Sequence, residues 1–127
     1  MNAAGNTTEV RALVERWMEA IRRKDIDGVV AYHDSDVVFY DVPPPEQLRG
    51  IEAYRQSWAD FLGWVTTFET DDLQVYAGED IAFSHCIVRC AGNTEPQPFL
   101  VRLTIGLRKL DSGWVVTHEH HSVPAPP

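Results

Sequence analysis

Residues 98–121 read PFLVRLTIGLRKLDSGWVVTHEHH, and the architecture of the chain turns on them. Two strand-like runs, about 98–110 and 113–121, flank Asp111, Ser112 and Gly113. That turn reads as a type I turn closing with Gly113 in a left-handed bulge position. Upstream, about 65–76 and 81–91 also read as strands, joined through Gly78, Glu79 and Asp80. Asn93 to Pro98 is a polar loop carrying proline.

Before Trp64 the pattern is helical. Val10, Leu13, Val14, Trp17, Met18 and Ile21 recur at helical spacing, which predicts an amphipathic first helix. Asn6, Thr7 or Thr8 would cap it, and Glu9 suits the positive end of its dipole. A short second helix is expected over about Ile26 to Tyr32. Val37 to Tyr40 reads as a strand ended by Asp41 and by Pro43 to Pro45, a run that cannot donate to a ladder. A third helix is expected from about Ile51 to Leu62, with Ile51, Tyr54, Trp58, Phe61 and Leu62 inward. Helices early and long antiparallel strands late imply an α+β fold, a conical barrel whose curved sheet wraps the first and third helices around a pocket.

The 127 residues fit one domain, spanning 1–127 with a short tail at Pro124 to Pro127. With 11 Lys+Arg against 19 Asp+Glu, the net charge of −8 repels phosphate backbones and anionic lipid surfaces. Neither a nucleic acid nor a membrane is therefore an expected partner. No apolar run reaches the roughly 20 residues of a membrane span, and no N-terminal signal pattern is present, so the cytoplasm is the expected compartment. Cys86 and Cys90 on one strand would lie roughly 13 Å apart. A disulfide needs Cα atoms within about 7 Å, so both read as small core residues.

Three of the five histidines fall in the segment His118-Glu119-His120-His121. On a strand His118 and His120 share one side with Trp114 and Val116, and that side is expected to face the pocket. There the imidazoles could line a polar wall, transfer protons near neutral pH, or chelate a metal, for which no third ligand is evident. With a three-residue loop, Gly106 opposes His118, Thr104 opposes His120 and Arg102 opposes Ser122. That register places Arg102 and Thr104 at the pocket, where they could orient an oxygen. A two-residue loop would present Leu103 and Ile105 instead. Asp41, two residues beyond Phe39, is the candidate carboxylate acid or base, because apolar surroundings disfavour its charge. Phe39, Trp17 and Trp58 would supply apolar walls.

These elements together resemble the nuclear transport factor 2-like superfamily, in the branch of ketosteroid isomerases and SnoaL-like polyketide cyclases. The resemblance rests on Leu13 to Asp41, the step from Asp41 to Gly50, and the ending Gly113-Trp114 through His118-x-His120-x-Ser122. It implies that Asp41 takes the place of the proton-shuttling aspartate. It also matches Trp17 to the oxyanion-hole tyrosine, His33 and Trp58 to the tyrosines that support it, and a position at or near Gly106 to the oxyanion-hole acid. Both oxyanion donors are then missing, which argues against steroid isomerisation by that route. The resemblance implies a cofactor-free isomerase, dehydratase or cyclase acting on a small apolar carbonyl or hydroxyl compound. Asp41, His118 and His120 would be its catalytic groups, with no metal. The alternative is a ligand-binding or assembly module without turnover, since the ending also resembles the hub domain of a calmodulin-dependent kinase. A homodimer is expected under either reading, through an outer sheet face bearing Leu103, Ile105 and Leu107 with Ile81, Phe83 and Ile87.

Overall fold

The computed structural model describes residues 3–126. Helix α1 runs Ala3–Arg22, α2 Ile26–Val30 and α3 Ile51–Trp64. The strands are β1 His33–Tyr40, β2 Leu48–Arg49, β3 Val65–Ala77, β4 Ile81–Gly92, β5 Glu95–Leu110 and β6 Gly113–Ser122. They form one curved sheet in the order β2-β1-β6-β5-β4-β3, antiparallel except for the parallel pair β1–β6. The sheet does not close on itself. No helix among the described residues is long and apolar enough to cross a membrane.

The predicted stripe of α1 is buried at every position: Val10, Leu13, Val14, Trp17, Met18 and Ile21 all lie in the core. Tyr54, Trp58 and Leu62 of α3 join it, so both helices pack into the hollow of the sheet. Asn6 does not cap α1, which starts earlier. It is buried, donates to the Gly78 carbonyl at 2.9 Å and accepts from Lys109 at 3.2 Å, tying the helix to the β3–β4 turn. The carboxyl end of α3 is capped from α1's exit: Lys24 Nζ donates to the carbonyls of Leu62 and Val65 at 2.9 and 2.8 Å. A cation there also complements the helix dipole. Gly92 lies flat beneath Trp64, where a Cβ would sit 2.1 Å from the indole. Cys86 and Cys90 are buried free thiols.

The last hairpin departs from both registers considered for it. At the turn Leu110 pairs with Gly113, whose φ is +121°, so the loop is two residues, Asp111 and Ser112. Further along, Gly106 pairs with His118, Thr104 with His120 and Arg102 with Ser122, the register of a three-residue loop. The two halves are reconciled by a β-bulge between Gly106 and Leu107, whose partners are His118 and Val116; Thr117 is the extra residue. Its hydroxyl lies 3.4 Å from Asp34 Oδ2, the oxygen that also accepts from Arg108 Nε at 2.9 Å, so the bulge is held from β1 and β5 together.

This one residue reverses the expected faces. Trp114 and Val116 are buried, as are Glu119 beyond the bulge and, largely, the ring of His121. His118 and His120 turn outward, opposite to their expected placement. Val101, Leu103, Ile105 and Leu107 of β5 all point into the core, which corrects their assignment to an outer apolar face. Paired residues share a face across a sheet, so Arg102 and Thr104 lie outside with Ser122 and His120. Arg102 Nε donates to Ser122 Oγ there at 3.1 Å and reaches no pocket.

Candidate functional site

A cavity of about 520 Å³ opens between α3, the Pro43–Pro45 loop and the inner faces of β4, β5 and β6. Its walls are mostly apolar: Phe39, Leu48, Trp58, Phe61, Trp64, Phe68, Val88, Phe99, Val101 and Leu103. Asp41, Ser57, Asp60 and His121 supply the polar side chains. The volume falls within the range of small-molecule sites. Phe39 and Trp58 take the wall positions expected of them. Trp17 sits behind Trp58, edge to face at 5.3 Å, and does not reach the cavity.

Asp41 stands at the cavity wall where β1 ends, with its side chain 25% exposed. Its Oδ1 accepts from the Val42 amide at 2.8 Å and lies 3.4 Å from His121 Nδ1. On the other side of that ring, Nε2 lies 2.8 Å from Glu119 Oε2. Glu119 is completely buried. Its Oε1 accepts from the Tyr54 hydroxyl at 2.7 Å and its Oε2 from Trp58 Nε1 at 3.2 Å. An unpaired buried carboxylate would cost several kcal/mol, and here donors converge on both oxygens.

Burial alone would push His121 down from its ordinary value. Glu119 and Asp41 outweigh it by charge and hydrogen bonding, and raise the ring to about 9. His121 is therefore an imidazolium at neutral pH, with a carboxylate at each nitrogen. Behind Glu119, the Tyr54 hydroxyl also accepts from Trp17 Nε1 at 3.1 Å and meets His33 Nε2 at 2.8 Å. Burial and then Glu119 raise Tyr54 well above its ordinary value; burial lowers His33. His33 thus supports Tyr54 and does not line the cavity.

Of the predicted site residues, the structure brings Asp41, Phe39 and Trp58 to the cavity. It removes His118, His120, Arg102 and Thr104 to the outer face. His118 Nδ1 donates to the Val38 carbonyl at 2.8 Å, and both outer imidazoles pack edge-on against Tyr40. Among the described residues no group of three or more His, Cys, Asp or Glu side chains could hold a metal. Sequence reasoning missed Glu119 and His121. The alternation Val101, Leu103, Ile105, Leu107 carries the signal that could have found them: Leu103 pairs with His121 and Ile105 with Glu119.

The sequence profile of the SnoaL-like domain matches residues 10–126. The chain belongs to this family. Among solved structures, the SnoaL-like chain is similar to an NTF2-like protein of unknown function from Pseudomonas putida KT2440. The two share 35% identity over 99% of this chain and 92% of that one, with a TM-score of 0.90. At 19% identity it shares its fold with a candidate dehydratase of the NTF2-like family from Streptomyces avermitilis (TM-score 0.83, 97% and 99% of the two chains). A ketosteroid isomerase-like protein from Erwinia carotovora atroseptica is similar at 20% identity (TM-score 0.77, 94% and 97%). No curated protein matches the SnoaL-like chain. The fold of this family is the NTF2-like cone, which carries isomerases and dehydratases among other activities.

Proposed function

We propose that the cavity binds a small, largely apolar molecule carrying a carbonyl or hydroxyl group and moves a proton on it without a cofactor. The reaction class is isomerisation, dehydration or aldol-type cyclisation. Asp41 is the acid or base that meets the substrate, and His121 takes the role first expected of His118 and His120. One observation carries this reading: a carboxylate at the wall of an apolar cavity, 3.4 Å from an imidazolium that is itself fixed by a buried glutamate. The charged ring steadies the Asp41 carboxylate before the proton moves and can surrender a proton afterwards.

The test begins with a thermal-shift screen of hydroxy- and keto-polycyclic compounds, followed by a search for chemical change in those that bind. Asp41→Asn should bind the same compounds and lose about 10²–10⁴-fold in turnover. Full turnover by that variant would remove the carboxylate from the mechanism. A second reading, a binding module without turnover, draws support from the occupied ring of His121, both of whose nitrogens face protein carboxylates. Binding without chemical change across the panel would favour it. Under either reading a homodimer is proposed through the outer sheet face. There Ile81 and Phe83 are 62% and 47% exposed, and Phe83 stacks on Tyr76. A monomer at micromolar concentration in sedimentation would contradict that placement.

A further inference from the structure

Beyond Glu119, on the side away from the cavity, the hydrogen bonds do not balance with the usual number of protons. His33 Nδ1 lies 2.8 Å from the Ala31 carbonyl, which can only accept, so Nδ1 carries a hydrogen. If the ring is neutral, Nε2 is bare and faces the Tyr54 oxygen at 2.8 Å. Glu119 Oε1, 2.7 Å from the same oxygen, is also an acceptor when ionised. Tyr54 has one hydrogen and two claimants for it. Its remaining lone pair takes Trp17 Nε1–H. With an ionised glutamate and a neutral histidine, one of the two short contacts would join two lone pairs in a buried place.

One additional proton resolves this in two ways on the same heavy atoms. In one state Glu119 is ionised, Tyr54 donates to it, and His33 is an imidazolium donating from Nε2 to the tyrosine oxygen. In the other, Glu119 carries the proton on Oε1 and donates to Tyr54, which donates to a neutral His33. The states interconvert by two coupled transfers. The Glu119 O–H breaks as a Tyr54 O–H forms, and the original Tyr54 O–H breaks as the His33 N–H forms. No atom or charge is gained or lost.

We propose that Tyr54 relays a proton shared between Glu119 and His33, so that His33 sets the charge behind the cavity's imidazole. When the proton rests on His33, the glutamate is charged and holds His121 as a cation. When it rests on Glu119, that hold is released and His121 becomes a stronger acid toward Asp41 and the cavity. His33 and Tyr54 are positioning residues that reach the cavity only through Glu119. The groups facing His33 are Glu119 from β6, the Tyr54 hydroxyl from α3, and the Val30 and Ala31 carbonyls from the end of α2. The adjacent Asp34 is turned to Arg108. The use of the relay in turnover rests on the proposed function; its existence does not.

The experiment is nitrogen NMR of protein labelled with ¹⁵N in its histidine rings, titrated across pH without ligand. In the wild type, neutral His33 should carry its hydrogen on Nδ1, and His33 and His121 should share a titration step, as interacting sites do. In Tyr54→Phe, which lacks only the hydroxyl, the shared step should vanish from the His121 curve and His33 should titrate alone. His33→Gln should remove the same step, which covers the case of a Tyr54 variant that does not fold. A neutral His33 with its hydrogen on Nε2, or His121 titrating identically in wild type and variants, would overturn the relay. Neither result depends on turnover, so a failure of the Asp41 proposal leaves this measurement decisive.

Discussion

Glu119→Gln tests the electrostatics of the site most directly. The amide keeps the shape of the side chain, can accept from Trp58 and can donate to Tyr54, but offers no charge to His121. The ring is held at about 9 in the folded protein against an ordinary 6.5. A raised value means that the folded state holds a proton the unfolded chain has lost. The stabilisation is therefore complete below pH 6.5 and disappears as pH rises through 9. At about 1.4 kcal/mol per pH unit, the difference between pH 6 and pH 10 is about 3 kcal/mol. Without Glu119, burial is opposed by Asp41 alone, and the ring returns toward its ordinary value. The variant should thus be less stable than wild type by a margin about 3 kcal/mol larger at pH 6 than at pH 10. Urea denaturation at both pH values measures it, and groups that titrate alike in both proteins cancel in the difference. The same margin at both pH values would refute the claim that Glu119 charges His121.

Gly92→Ala should cost about 1–3 kcal/mol and weaken ligand binding in the same thermal-shift assay, because its Cβ would displace Trp64 from the cavity wall. His120→Ala and Thr104→Val, on the outer face, should leave turnover unchanged and stability within about 0.5 kcal/mol by urea denaturation. Ile105→Ala, pointing inward at 2% exposure, should cost about 2–5 kcal/mol by the same measure.

What the sequence made legible, and what it hid, follows from range. The α1 stripe and the α3 face are local patterns with a fixed 3.6-residue period, and both are buried as read. Asp41 was legible because Phe39 and the prolines fixed where its strand ends. The facing of β6 is not, because strict alternation from Trp114 and Val116 across Thr117 leaves no place for an inserted residue. A bulge adds one residue and exchanges the two sides, and its anchor, Asp34, lies 83 residues away on β1, where Arg108 of β5 holds it. Nor does any local pattern pair Tyr54 with Glu119, 65 residues apart. The strand that could have arbitrated was β5. Its four alternating apolar residues oppose β6 and outweigh one tryptophan and one valine.

Within the proposed chemistry, the charges at the cavity narrow the choice of reaction. Asp41 and Asp60 both stand at the cavity wall, in a chain whose own net charge is −8. An anionic substrate is disfavoured on both counts. Of the polar side chains lining the cavity, only Ser57 and His121 can donate a hydrogen bond, and His121 is engaged by carboxylates on both sides. Trp58 Nε1–H points away to Glu119 and Tyr54 lies behind it. An oxyanion developing on a substrate would therefore meet few donors, the term that usually dominates enolate chemistry. A hydroxyl leaving as water needs one group that takes a proton and returns it to the leaving oxygen, and Asp41 at the wall is placed to do both, with His121 3.4 Å behind it to steady its charge. Within that proposal, dehydration is the reading to test ahead of isomerisation through a free enolate.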